Sequence, residues 1–147
     1  MHRRRLLQLV LFVALSLVIA CKKDERVARS SKVERIVSLS PSTTEALFAV
    51  GARSKLVGRS RYCDHPPEVA KLPQVGGFVD PSFEAILALR PDLVVGARGP
   101  AGRAIADKLE QRGIATYFPP TESFAGIDEM LLGLGERTGN AAAARAV

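Results

Sequence analysis

The sequence predicts an α/β fold, a Rossmann-like lobe with a parallel sheet of about four strands flanked by helices, and three observations lead there. From Val33 onward, short runs rich in β-branched residues alternate with amphipathic stretches. The helical stretches stop where helices should stop: at Gly51, ahead of Pro91, and at Gly113. Each pair of successive strands is separated by enough chain for a crossover helix, which parallel neighbours require and which places helices on both faces of the sheet.

Taken in order, Arg35 to Leu39 reads as the first strand, and Ser42-Thr43-Thr44-Glu45 as a capping box that opens a helix running to about Val50. Lys55 to Gly58 is a second short strand. Phe83 to Leu89 is a helix ended before Pro91, Leu93 to Val95 a third strand, Ala101 to Arg112 a helix closed by Gly113, and Ile114 to Phe118 a fourth strand. A last helical stretch begins at Thr121 or Glu122, passes through Ile127, Met130, Leu131 and Leu134, and breaks or bends near Gly139-Asn140. Ala141 to Val147 is strongly helix-forming, yet the sequence stops there with no cap, so truncation is the expectation.

Composition narrows the function. With 24% charged and 47% hydrophobic residues the chain is not disordered throughout, and with a single apolar run near its start it is not a polytopic membrane protein. Two cysteines, Cys21 and Cys63, are too few for a disulfide framework or a Cys-rich zinc site.

The first twenty residues read as an address. His2-Arg3-Arg4-Arg5 is a basic stub, and Leu6 to Ala20 an apolar run interrupted only by Gln8 and Ser16, the two leading regions of a secretory signal. As a helix this run would span roughly 22 Å, short of a hydrocarbon core of roughly 30 Å. Leu17-Val18-Ile19-Ala20-Cys21 resembles the lipobox of bacterial lipoproteins, which implies that Cys21 carries a thioether-linked diacylglycerol and becomes the mature N-terminus. Residues 22–32 (KKDERVARSSK) are a polar tether with little to bury. Without the signal, 18 basic residues face the same 15 acids, a net charge of +3 that gives no reason to expect a nucleic-acid partner. The expected organisation is a signal over 1–20, a tether over 21–32, one lobe over 33–139, and the start of a further helix over 140–147.

The pieces RIVSLSPSTTEALFAVG (35–51), YCDHPPE (62–68), LPQVGGF (72–78) and PSFEAILALRPDLVVG (81–96) carry a resemblance. In this order and spacing the chain resembles the N-terminal lobe of the periplasmic (class III) ABC-importer binding proteins for vitamin B12 and iron-siderophores, with the cobalamin-binding branch nearest. The resemblance implies two α/β lobes joined by a long backbone helix, residues 140–147 beginning that helix, and a ligand held between the lobes. It places Ser42 at the head of the first helix facing the cleft, Tyr62 in the loop after the second strand, and Phe78 where cobalamin binders carry a tryptophan that packs on the corrin. A second stacking aromatic is not found, since that position is Ala97, followed by Arg98, which leaves room for a corrinoid precursor or an anionic chelate paired with Arg98. Glu84 matches the glutamate by which this lobe docks onto the permease. The implied protein has no resident cofactor; it carries a cobalt corrinoid or an iron chelate to a separate permease and ATPase, outside the cytoplasm, on a lipid anchor in the membrane.

Competing readings are weaker on the residues. Cys63-Asp64-His65 contains three ligating types, but adjacent residues seldom converge on one ion and Pro66-Pro67 favours a stiff turn, so Cys63 is expected as a buried packing residue. Gly96, Gly99 and Gly102 lie between a strand and a helix, where an enzyme would bind phosphate. Their spacing is not that of a dinucleotide loop, and the next strand ends in Pro119-Pro120 with no acid for a ribose. Ser40-Pro41-Ser42 lacks the flanking glycines of a nucleophile elbow. A lipoprotein that serves as a scaffold or partner-binding module would share the same fold and anchor.

Overall fold

The structure, a computed structural model, describes residues 32–147. The expected signal peptide, the acylation site Cys21 and all of the tether but Lys32 lie outside the described residues.

The elements are β1 (Ile36–Ser38), α1 (Pro41–Ala49), β2 (Leu56–Arg59), α2 (Phe83–Ala88), β3 (Leu93–Val95), α3 (Pro100–Glu110), β4 (Ala115–Tyr117), α4 (Phe124–Thr138) and α5 (Ala141–Ala144), with 3-10 turns at Arg53–Lys55 and Pro67–Lys71. All pairings within the sheet are parallel, in the order β2-β1-β3-β4, with Ile36 opposite both Leu56 and Leu93, and Leu93 opposite Ala115.

β1 to β3 are largely apolar because successive residues point to opposite faces and helices cover both, whereas β4 at the sheet edge is more exposed. Ile36, Leu93 and Val95 pack with Leu47 of α1, with Val50 just past its end, and with Met130 and Leu134 of α4. Val37, Leu39 and Val94 turn the other way, onto Ile86 of α2 and Ile105 and Leu109 of α3. The result is three layers, with helices on either side of one sheet. At Gly58 of β2 a side chain would collide with Leu89, so this glycine lets the end of α2 lie directly on the strand. Lys55 ties the edge opposite the strand carboxyl ends, its Nζ donating to the Val33 carbonyl at 2.7 Å and to the Thr138 carbonyl, in the last turn of α4, at 2.9 Å.

Three helix boundaries differ from the sequence expectation, each for a local reason. The capping box does not form as Ser42-Thr43-Thr44-Glu45: the helix already starts at Pro41, and Ser40 is the cap, its Oγ accepting from the Thr43 N–H at 3.4 Å. Proline suits the first helical position because its φ is preset and its missing N–H would have no partner there. Ser42 and Glu45 therefore sit inside the helix, both exposed. In the same way α3 takes in Pro100 as its first residue. The last long helix starts at Phe124 rather than at Thr121 or Glu122, because Ser123 is its cap and accepts from the Gly126 N–H at 3.1 Å. Its end is where the sequence puts it: Gly139, at φ 78°, adopts the left-handed conformation that closes a helix, and Asn140 precedes α5.

Candidate functional site

In a parallel sheet covered by helices, the loops leaving the strand carboxyl ends lie along one edge, and this is the edge at which such folds bind ligands. Here that edge carries the β1–α1 turn with Ser42, the segment after β2 with Tyr62 and Phe78, the β3–α3 turn with Arg98, and the β4–α4 connection that ends at Phe124.

Two loops are joined to each other near Tyr62. The Arg61 N–H donates to the Gly76 carbonyl at 2.8 Å, and the Arg61 guanidinium donates to Asp80 Oδ2 at 2.7 Å, across the segment that holds Phe78. The hydrogen bond and charge of Asp80 hold the Arg61 guanidinium above its ordinary pKa. Its cation also stands 5.8 Å from the centre of the Tyr62 ring. Glycine makes this approach feasible: a side chain at Gly77 would lie 3.2 Å from the Tyr62 ring and would collide with Asp80. Tyr62 is 53% exposed, so its ring is presented to solvent. Phe78 is half-buried, and a methyl group at Gly99 would lie 3.7 Å from Phe78 Cζ, which sets the ring against the β3–α3 turn beside Arg98.

Tyr62, Phe78 and Arg98 are thus linked through Gly77 and Gly99 into one stretch of surface. Ser42 lies next to the far end of the Tyr62 loop, near His65 and Pro66. It lines a different groove, of about 420 Å³, on the α1–α4 side of the sheet, shared with Glu45, His65, Pro66, Ile127 and Met130. Arg98 also borders a wider cleft of about 930 Å³ between α3 and β4, with Arg103, Asp107, Thr116 and Phe118. Glu84 is exposed in the first turn of α2, where its charge favours the helix N-terminus.

The residues with enzyme-like alternatives have structural employment. Side chains at Gly96 and Gly102 would fall 2.7 and 2.9 Å from the Phe118 ring, so those two glycines make room for an aromatic. Cys63 is fully buried, with its Sγ 3.3 Å from Ser60 Oγ. Among the described residues no cluster of three His, Cys, Asp or Glu side chains has the closeness of a metal site. The hydroxyls of Ser38, Ser40, Thr43 and Thr44 are buried and satisfy one another, with Ser38 Oγ 2.8 Å from Thr43 Oγ1 and Thr44 Oγ1 donating to Ser38 Oγ at 2.8 Å. They fix the start of α1 and leave the exposed Ser42 as the outermost hydroxyl.

Sequence reasoning missed several residues at this edge. Phe124 is 90% exposed in the first turn of α4, and Val79, next to Phe78, is 71% exposed. Phe124 directly follows its cap residue Ser123, and a helix-opening position at a strand carboxyl edge was the available signal. Arg59 and Arg61, on either side of Ser60, gave no signal, since arginines beside a loop read as solvated charge.

Comparison with known proteins fits this geometry. The model of the periplasmic binding protein family matches residues 36–147. The vitamin B12-binding protein of Yersinia pestis (strain Pestoides F) is 42% identical over 85 residues, which is 58% of this chain and 30% of that protein. Among solved structures, a periplasmic heme-binding protein from Pseudomonas aeruginosa superposes with a TM-score of 0.72 at 32% identity, covering 78% of this chain and 41% of the other. The periplasmic vitamin B12-binding protein BtuF of Vibrio cholerae gives 0.69 at 32% identity, covering 78% and 45%. The chain therefore spans less than half the length of each of these relatives. A family match over three quarters of the sequence, on a parallel four-stranded sheet with helices on both faces, places the chain in the periplasmic binding protein family.

Proposed function

We propose that the chain forms one wall of the ligand cleft of an ABC-importer binding protein, and that the ligand is a cobalt corrinoid. The observation that carries this reading is the aromatic surface at the strand carboxyl edge: an exposed Tyr62 clipped by Arg61 and Asp80 to the loop of Phe78, beside Gly99 and Arg98. Rigid aromatic faces give a broad flat macrocycle large apolar contact at small conformational cost, and Arg98 supplies a charge for an acidic substituent at its rim. The similarity to vitamin B12-binding proteins supports the corrinoid; the structural likeness to a heme-binding protein supports a metal tetrapyrrole as the broader ligand class. A ferric siderophore is the second reading, favoured by the missing aromatic at Ala97 and the adjacent Arg98.

In this account the opposite wall comes from a second lobe like that of the longer relatives. Cys21 is acylated and holds the protein at the membrane outside the cytoplasm, and Glu84 meets a basic residue of the permease, which with its ATPase is a separate polypeptide. Such a charge pair chiefly sets orientation and encounter rate.

The test is absorbance titration of the protein with cyanocobalamin, with haem and a ferric hydroxamate in parallel. Saturable binding of cyanocobalamin that Phe78→Ala weakens by about 1 to 3 kcal/mol supports the reading. Saturation by the hydroxamate with no response to either tetrapyrrole replaces it with the siderophore reading, and no binding of any of the three favours a scaffold.

A further inference from the structure

Arg59, the last residue of β2, is 6% exposed, and among the described residues no carboxylate pairs with it. Its guanidinium instead donates from one terminal nitrogen to the Ser60 carbonyl at 3.1 Å and from the other to the Ala70 carbonyl at 3.1 Å, while its Nε has no partner. Burying a cation without a counter-charge is a poor way to gain stability; well-packed apolar replacements of buried charges are often neutral or stabilising. What the guanidinium does hold is a loop. Ser60 and Ala70 are the two ends of the segment that presents Tyr62; inside it the Tyr62 N–H donates to Ser60 Oγ at 3.3 Å, the Cys63 N–H to the Ser60 carbonyl at 3.2 Å and the Val69 N–H to the Pro66 carbonyl at 2.9 Å, all short-range contacts that do not join its two ends. Pro66 and Pro67 lack N–H groups, and only Cys63 and Val69 anchor its interior by burial. Two carbonyls ten residues apart are bridged by one planar fork, whose two terminal nitrogens hold their donors in a fixed plane where an ammonium would offer them from a single atom. The backbone of Arg59 is fixed as well, its N–H donating to the Pro73 carbonyl at 3.0 Å and its carbonyl accepting from the Val75 N–H at 2.9 Å, on the path to Phe78.

We infer that Arg59 is a positioning residue for the ligand surface: its buried guanidinium closes the Ser60–Ala70 loop and thereby holds the Tyr62 ring in place before ligand arrives. The role of Tyr62 in binding rests on the function proposed above; the ordering of its ring does not, and the test separates the two. The chain has two tyrosines and no tryptophan, so in a Tyr117→Phe background the fluorescence of Tyr62 is observed alone. Time-resolved anisotropy without ligand is compared for Arg59, Arg59→Met and Arg59→Lys, with circular dichroism and a urea midpoint for each. The expected result is that Arg59→Met keeps the fold and its urea midpoint, or gains stability, while the nanosecond mobility of Tyr62 rises at least about twofold, with Arg59→Lys in between. Cyanocobalamin affinity then falls roughly tenfold in Arg59→Met. A folded Arg59→Met with unchanged anisotropy overturns the inference. If Arg59→Met does not fold, Arg59→Lys decides: increased mobility supports the inference and parental mobility overturns it. A change in anisotropy in a protein that binds no cobalamin at all supports the positioning role and removes the ligand reading alone.

Discussion

Tyr117 and Tyr62 show how the same residue type serves opposite ends. Tyr117 at the end of β4 is packed, its hydroxyl donating to the Glu129 carbonyl at 2.9 Å and its ring covered by Arg137 at 3.9 Å. The space for it comes from Gly133, where any side chain would collide with the phenol oxygen. Burial raises the Tyr117 pKa, partly opposed by Arg137. A raised phenol pKa leaves stability intact below about pH 10, where the phenol is neutral in both the folded and the unfolded chain, and removes it as the pH climbs toward the higher folded value. Urea midpoints measured from pH 8 to 11 should therefore fall at the alkaline end, and Tyr117→Phe should flatten that decline while lowering the neutral-pH midpoint slightly. Tyr62 has no such burial; its half-exposed ring is free for contact, with its N–H donating to Ser60 Oγ and the Arg61 guanidinium beside the ring.

Among the elements, α1 depends most on its first turn. Ser40 caps the Thr43 N–H and its Oγ lies 2.8 Å from Thr43 Oγ1, within a buried hydroxyl cluster that leaves few alternatives for either group. Ser40→Ala should cost about 1 to 2 kcal/mol in urea unfolding, more than Ser42→Ala, which removes an exposed hydroxyl. An equal loss from both substitutions would restore Ser42 as the cap. The apolar strands and the glycine and proline stops were legible in the sequence because alternation and breaker chemistry are local. The cap was misplaced because Ser42, with Glu45 three residues on, matches the capping box and Ser40 does not, whereas the fit of Pro41 to the first helical position makes Ser40 the cap. Three-dimensional facts were not legible in the same way. Arg59 is buried where the loop from Ser60 to Ala70 returns to its guanidinium, and Phe124 is exposed although an apolar residue in an amphipathic helix reads as core. Likewise Ser42 and Arg98, both at strand-to-helix turns, fall into different grooves because α1 and α3 cover opposite faces.

At the level of the whole molecule, the sheet divides the chain into an edge that is tied shut and an edge that is left open. Lys55, through the Val33 and Thr138 carbonyls, closes the edge where the helices end, while the carboxyl edge carries exposed Tyr62, Val79 and Phe124. Glu84 is exposed in the first turn of α2, and the proposed docking role makes it the contact with the permease. In cells making the full-length transporter, Glu84→Ala should lower cobalamin uptake several-fold and leave cobalamin affinity unchanged; reduced affinity with unchanged uptake per bound ligand would move Glu84 from docking to binding. The central claim is that the carboxyl edge is the ligand surface, and amide chemical-shift mapping tests it most directly because it detects even the weak binding expected of a single wall. On addition of cyanocobalamin, the account predicts shifts at Tyr62, Gly77, Phe78 and Gly99, with Gly51, Gly113 and Gly139 at the opposite edge unmoved. Shifts confined to Gly51, Gly113 and Gly139, or none at saturating ligand, would contradict it.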